Sequence, residues 1–226
     1  MSSSLHPLNF NDPMPVTHVK SFTHNPFQTN SYVCHSQSEA VIVDASCSNQ
    51  SECSEIINYI NSHDLTVKHL LLTHAHVDHI LGCNQLSSHF NLSWKAHRDT
   101  SVWIQNAPTQ AMMHGFTIQS IDLPTHWLNE QDVISFGDTQ WRILETPGHA
   151  PGSICFVDDA SQFVVVGDVL FHQSIGRTDL PGGDMGLLMQ SIFQQLLTLP
   201  DLMTVYPGHG PSTQIGLERH QNPFLQ

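Results

Sequence analysis

Apolar positions along this chain follow two rhythms. Short β-branched runs read as strands: Val16–Thr23, Ser31–Cys34, Ala40–Val43 (AVIV) and Lys68–Leu72 in the first half. Val133–Phe136, Gln140–Glu145, Ser153–Val157, Phe163–Val166 and Thr204–Tyr206 follow in the second. The other rhythm is helical. Ser51–Ile60 places Ile56, Ile57 and Ile60 on one side, with Glu52 and Glu55 off it. Ile80–His89 reads the same way, and so does Met185–Leu199, where Leu187, Leu188, Ile192, Leu196 and Leu199 recur at three- and four-residue steps. Residues 98–131 show neither rhythm and read as irregular, either a lid or pocket wall whose Met and aromatic residues would suit an apolar acyl group, or plain core packing. Strands followed by a helix in both halves predict two packed sheets covered by helices.

Length and composition narrow this picture. The 226 residues suit one large α/β domain, and 39% apolar residues exclude a disordered chain. Residues 1–15 are polar and proline-containing, a loose N-terminal segment, which leaves 16–226 as the domain. That segment has no signal-peptide pattern, and no apolar run reaches the ~20 residues of a membrane span. A cytoplasmic protein without membrane contact is expected. Seven Lys and Arg against twenty Asp and Glu give a net charge of −13, which disfavours DNA or RNA as a partner. Cys34, Cys47, Cys53, Cys83 and Cys155 form no C-x-x-C pair, so buried free thiols in a reducing compartment are expected.

Chemistry is concentrated at predicted strand ends. Lys68–Leu72 runs straight into Thr73-His74-Ala75-His76-Val77-Asp78-His79. Residues two apart in an extended segment point the same way, so His74 and His76 can reach one ion. Asp78 and His79 follow where the chain turns. Four donors in one stretch cannot surround an ion, and three more stand at similar places: His149 in TPGHAPG, Asp168 in VGD and His209 in PGHG. Singly, each of these reads as a cap or turn residue. Together with H-x-H-x-D-H they point to a metal centre of imidazole and carboxylate ligands, the set that suits zinc or iron(II).

These motifs resemble the metallo-β-lactamase superfamily, and more narrowly its short branch similar to glyoxalase II (hydroxyacylglutathione hydrolase). SIGRTDLPGGD at Ser174–Asp184 and the ending ERHQNPFL at Glu218–Leu225 resemble that branch as well. The resemblance runs from about Val16 to the C-terminus. It implies a four-layer αββα sandwich with the site at the edge between the sheets. It also implies two divalent metal ions, zinc or alternatively iron. By resemblance His74, His76 and His149 hold one ion, Asp78, His79 and His209 hold the other, and Asp168 bridges them. Asp44, in VIVDA, would support the site from behind. Two features depart from the pattern. Only seventeen residues follow His209, so the helical domain that helps glyoxalase II bind glutathione is missing, and Ala150 stands where Ser or Thr is common.

The expected activity is metal-dependent hydrolysis of a small thioester or ester, such as a hydroxyacylglutathione, by a hydroxide generated on the metal, with Asp78 orienting it. Arg177 is a candidate for a substrate carboxylate, against an ion pair with Asp179 or Asp184. The rival activities are a mononuclear-iron persulfide dioxygenase using His74, His149 and Asp168, and a lactonase or β-lactamase, all on the same fold. A metal-binding regulator without turnover is the rival outside enzymes, and the full ligand set argues against it.

Overall fold

The computed structural model describes residues 16–226, so the expectation of a loose segment over 1–15 lies outside the described residues. The first sheet holds six strands in chain order: β1 (His18–His24), β2 (Thr29–Ser36), β3 (Glu39–Val43), β4 (Thr66–Leu71), β5 (Trp94–His97) and β6 (Trp127–Leu128). β1 to β3 run antiparallel, and β3 to β6 pair in parallel. Parallel pairing needs crossovers. Helix α1 (Gln50–Ser62) supplies one, and α2 (Val77–Ile80) with α3 (Cys83–Phe90) supplies the next. The chain starts α1 at Asn49, whose side chain accepts a hydrogen bond from the Glu52 amide.

After α4 (Ser101–Gln105) and α5 (Ala107–Met113) comes the second sheet. Its strands β7 (Val133–Phe136), β8 (Thr139–Glu145), β9 (Ile154–Asp158) and β10 (Phe163–Gly167) are antiparallel neighbours. A small hairpin, β11 (Leu170–Phe171) with β12 (Ser174–Ile175), and helix α6 (Met185–Gln194) lead to β13 (Thr204–Pro207), which pairs in parallel with β10. β14 (Thr213–Gln214) and α7 (Ile215–Gln221) close the chain.

Four layers result, and each interface has its own apolar cluster. Between the sheets, Val41, Val43 and Leu71 meet Phe136, Trp141, Phe156 and Val165. Outside the first sheet, Ile56, Ile60 and Leu86 pack on Val33, Ile42 and Leu70. Outside the second, Leu188, Ile192 and Leu196 pack on Val164, Val166 and Val205. This is the αββα sandwich the motifs predict. Among the described residues no helix is long and apolar enough to cross a membrane.

Four expectations are corrected. The helix read over Ile80–His89 is two helices, because the Gly82 amide leaves the helical ladder to donate to the Ala45 carbonyl. The helix read over Met185–Leu199 stops at Gln194, and Leu196–Thr198 tightens into a 3-10 turn. Residues 98–131 are not irregular throughout: α4 and α5 bury Ile104, Ala107 and Ala111, and helices this short cannot display a full periodicity. The fourth concerns the cysteines. Cys47 and Cys53 are joined in a disulfide between the loop after β3 and the first turns of α1, with Cα atoms 5.2 Å apart. Only Cys34, Cys83 and Cys155 are the buried free thiols expected of all five.

Candidate metal centre

Every loop that carries a predicted site residue leaves the same edge of the sandwich. Asp44 follows β3, the 73–79 stretch follows β4, His149 lies between β8 and β9, Asp168 follows β10, and His209 follows β13. The two sheets meet at this edge. The Asn30 amide of β2 donates to the Gly208 carbonyl at 2.7 Å, and the Tyr32 hydroxyl donates to the Pro207 carbonyl at 2.6 Å. Two glycines make the convergence possible. Gly148 has φ +133°, a conformation L side chains rarely adopt, and a Cβ on it would collide with the Leu188 backbone. Gly208 packs so closely on Asp168 Oδ1 and the His79 ring that no Cβ fits.

Seven side chains meet there. The ligand atoms of His74, His76 and His149 lie within 4.8 Å of one another, as do those of Asp78, His79 and His209, and those of His74, His79 and Asp168. Asp168 stands between the first two groups. Its Oδ2 is 3.6 Å from His149 Nε2 and 3.3 Å from His209 Nε2, and its Oδ1 is 3.3 Å from His79 Nε2. His149 Nε2 and His76 Nδ1 face each other at 2.9 Å.

Outer contacts fix which nitrogen four of the five rings turn inward. His79 Nδ1 donates to Asp44 Oδ2 at 2.8 Å, His149 Nδ1 to the Arg177 carbonyl at 2.8 Å, and His209 Nδ1 to the Phe27 carbonyl at 3.1 Å. His74 Nδ1 lies 3.1 Å from the Thr73 hydroxyl. The opposite nitrogens of these four rings are left facing the cluster, whereas His76 turns its Nδ1 towards His149 Nε2. His74 Nε2, His76 Nε2, His79 Nε2 and Asp168 Oδ1 are buried with no hydrogen-bond partner. Buried polar atoms are ordinarily satisfied. A concentration of unsatisfied nitrogen and oxygen donors, with their outer atoms anchored, fits divalent cations of the zinc and iron(II) type.

The electrostatics divide the cluster. Burial, aided by the charge of His149, pushes His76 down to about 4. Burial also lowers His74 and His149. These imidazoles are therefore neutral at pH 7, the form a metal needs. Burial would lower His79 and His209 too, but the carboxylates prevail. Asp78, Asp168 and Asp44 hold His79 well above the usual range, and hydrogen bonds to Asp168 and Asp78 raise His209 to about 10. Burial would raise Asp78, yet the His79 charge and the His209 and Thr29 hydrogen bonds bring it to about 2. Protonated histidines thus balance the two carboxylates, at the place where cations would.

Asp44 is 1% exposed and accepts three hydrogen bonds, from His79 Nδ1, the Thr73 amide and the Thr73 hydroxyl, each at 2.8 Å. Sequence reasoning missed two supports on the other side. The Thr29 hydroxyl donates to Asp78 Oδ2 at 2.7 Å, and the Asn25 amide donates to the Asp78 carbonyl at 3.0 Å. Neither carries a local motif. Arg177 reaches the cluster's mouth, but its guanidinium makes two hydrogen bonds of 2.7 Å to Asp179, the rival role considered for it. Arg219 and Asn222 dock the tail, on the Leu197, Leu199 and Ser174 carbonyls.

Stacked mixed sheets, helices on both faces and a histidine–aspartate cluster at the shared edge define a metallohydrolase architecture. The sequence profile described as "Metallo-beta-lactamase superfamily" matches residues 24–209, and the chain belongs to that family. A relative from Haemophilus influenzae, named hydroxyacylglutathione hydrolase GloC, is 37% identical over 202 residues, covering 88% of this chain and 93% of the relative. Among solved structures, the BLEG-1 B3 metallo-beta-lactamase superposes with a TM-score of 0.85 at 36% identity, covering 92% of this chain and all of that one (100%). TTHA1623, crystallised in a di-iron-bound form, superposes with a TM-score of 0.82 at 35% identity, again over 92% of this chain and 100% of that one.

Proposed function

We propose that this protein is a two-metal hydrolase that cleaves a small thioester, in the manner the name of its Haemophilus influenzae relative suggests. The observation that carries this reading is the convergence of seven inward-facing nitrogen and carboxylate donors, several of them buried without a partner. His74, His76 and His149 would hold one ion, Asp78, His79 and His209 the other, and Asp168 would contact both. Two divalent ions bound there supply a strong oxygen nucleophile at neutral pH and polarise the scissile carbonyl.

The chain's own groups do the rest. Asp44 fixes the ring of His79, and the Arg177 and Phe27 carbonyls fix His149 and His209, so the donors keep their geometry while charge redistributes. Asp78, braced by Thr29, would orient the attacking oxygen. No serine or cysteine nucleophile is required: Cys34, Cys83 and Cys155 are buried, and burial pushes all three thiols up. Arg177 would bind a substrate carboxylate only by exchanging it for Asp179.

Iron is the second reading for the metal, favoured by the di-iron relative at 35% identity. The test joins metal analysis of protein purified without chelators to rates on glutathione thioesters, lactones and glutathione persulfide. About two metal ions per chain with thioester turnover supports the proposal. One iron per chain with oxygen uptake on the persulfide replaces it with dioxygenase chemistry, and lactone turnover alone replaces it with a lactonase.

A further inference from the structure

The cluster opens into two grooves that share His149, Asp168, Arg177 and His209. One, of about 480 Å³, is walled by Phe171, His172, Ser174, Ile175, Gly210 and Pro211. The other, of about 360 Å³, is walled by Phe27, Trp103, Met113, Leu180 and Pro181. Trp103 on α4 stands edge-on to His76, with ring centres 5.7 Å apart, so the apolar wall begins beside the candidate ligands. Phe27, in the turn after β1, leans on Phe116 with ring centres 6.1 Å apart. Met113, at the end of α5, is 79% exposed and Phe27 39%.

Large apolar side chains left in water around a site mark what the site binds. Methionine is suited to such a wall because its flexible thioether moulds to chains of different shape. The charges agree. Arg177 is the one Lys or Arg lining either groove among the described residues, and Asp179 already neutralises it. A glutathione arm, with two carboxylates and one ammonium, finds no Lys or Arg in the apolar groove other than the Asp179-paired Arg177.

We propose that this groove binds an apolar acyl chain, so that the hydrolase prefers thioesters of medium-length acyl groups to those of short hydroxy acids. This rests on the hydrolase reading above and names its substrate class.

The test uses metal-loaded protein and N-acetylcysteamine thioesters of acetyl, butanoyl, hexanoyl and octanoyl groups, beside S-lactoylglutathione. The expected kcat/KM rises about three- to fourfold per methylene until the groove is full. Trp103→Ala and Met113→Glu should flatten that rise, with bound metal measured in the same samples. Should Trp103→Ala lose metal through its contact with His76, Met113→Glu decides. A second readout needs no turnover. The S-octyl thioether of N-acetylcysteamine should bind with a negative heat-capacity change, and at least about tenfold more weakly to Met113→Glu. A flat chain-length profile in the wild-type protein, or an unchanged slope in Met113→Glu, overturns the proposal while leaving the hydrolase reading standing. Chain-length-dependent thioether binding without hydrolysis of any thioester supports the groove and overturns the hydrolase reading instead.

Discussion

Replacing Asp44 with Ala tests whether one buried carboxylate holds half of the metal cluster in place. Asp44 is 1% exposed and accepts from His79 Nδ1 and from the Thr73 amide and hydroxyl, all at 2.8 Å. Alanine leaves His79 Nδ1 without its partner and orphans the Thr73 backbone N–H. Breaking a buried charged pair by removing one partner costs about 3–5 kcal/mol. Alanine also inherits φ +60°, which Asp tolerates and Ala does not, at about 1 kcal/mol more. Asp44→Gly removes that strain alone and should recover about that last increment. The metal effect should be uneven. His79 belongs to the Asp78–His79–His209 group, so affinity there should fall about 10- to 100-fold. Affinity at His74–His76–His149 should change little. Urea unfolding of metal-free protein gives the stability term, and chelator competition resolves the two affinities. Asp44→Ala within 0.5 kcal/mol of wild type, with both affinities unchanged, would refute the reasoning.

Gly208→Ala puts a methyl group into the space of Asp168 Oδ1 and the His79 ring, so metal content should drop sharply with the fold retained, read by metal analysis and circular dichroism. Metal-free protein should be most stable near pH 6.5. His209, raised to about 10, contributes stability that is full below 6.5 and lost as pH climbs through 10, whereas His76, lowered to about 4, contributes stability that is lost as pH falls from 6.5 through 4. If His79 and His209 are the neutral ligands proposed, metal loading should erase the alkaline limb and release about two protons per chain at pH 7, measured by calorimetry in buffers of different ionisation enthalpy. Reducing Cys47–Cys53, whose partners are six positions apart, should cost about 2 kcal/mol in urea unfolding, and Cys53→Ser should abolish the difference between reduced and oxidised protein.

How much was legible follows from where each signal lies. His74, His76, Asp78 and His79 announce themselves because one strand end delivers them together, and His149, Asp168 and His209 because each needs a glycine beside it to reach the cluster. The layered fold was legible from AVIV, FVVV and the helix faces, since burial on one side imposes a period. Thr29 and Asn25 were not. Their bonds to Asp78 span 49 and 53 residues, and nothing local marks them. The short helices α4 and α5 escaped because each divides its side chains between the core and the groove. Helix α7 is tied down by contacts from elsewhere, including Arg219 on the Leu197 and Leu199 carbonyls. The Cys47–Cys53 pair lacks the spacing of known redox or zinc motifs, and a loop folding back on α1 brings it together. For Arg177 the sequence leaves a substrate carboxylate and an ion pair with Asp179 or Asp184 both open, and only geometry shows the two hydrogen bonds to Asp179.

The gathered donors either hold cations or they do not. Crystals of metal-loaded protein, measured on both sides of the zinc and iron absorption edges, would locate any ion directly. Two anomalous peaks about 3.5–4 Å apart, one among His74, His76 and His149 and one among Asp78, His79 and His209, with Asp168 reaching both, are the predicted result. Peaks elsewhere on the chain, or protein that turns over substrate with no peak among these seven side chains, would contradict it.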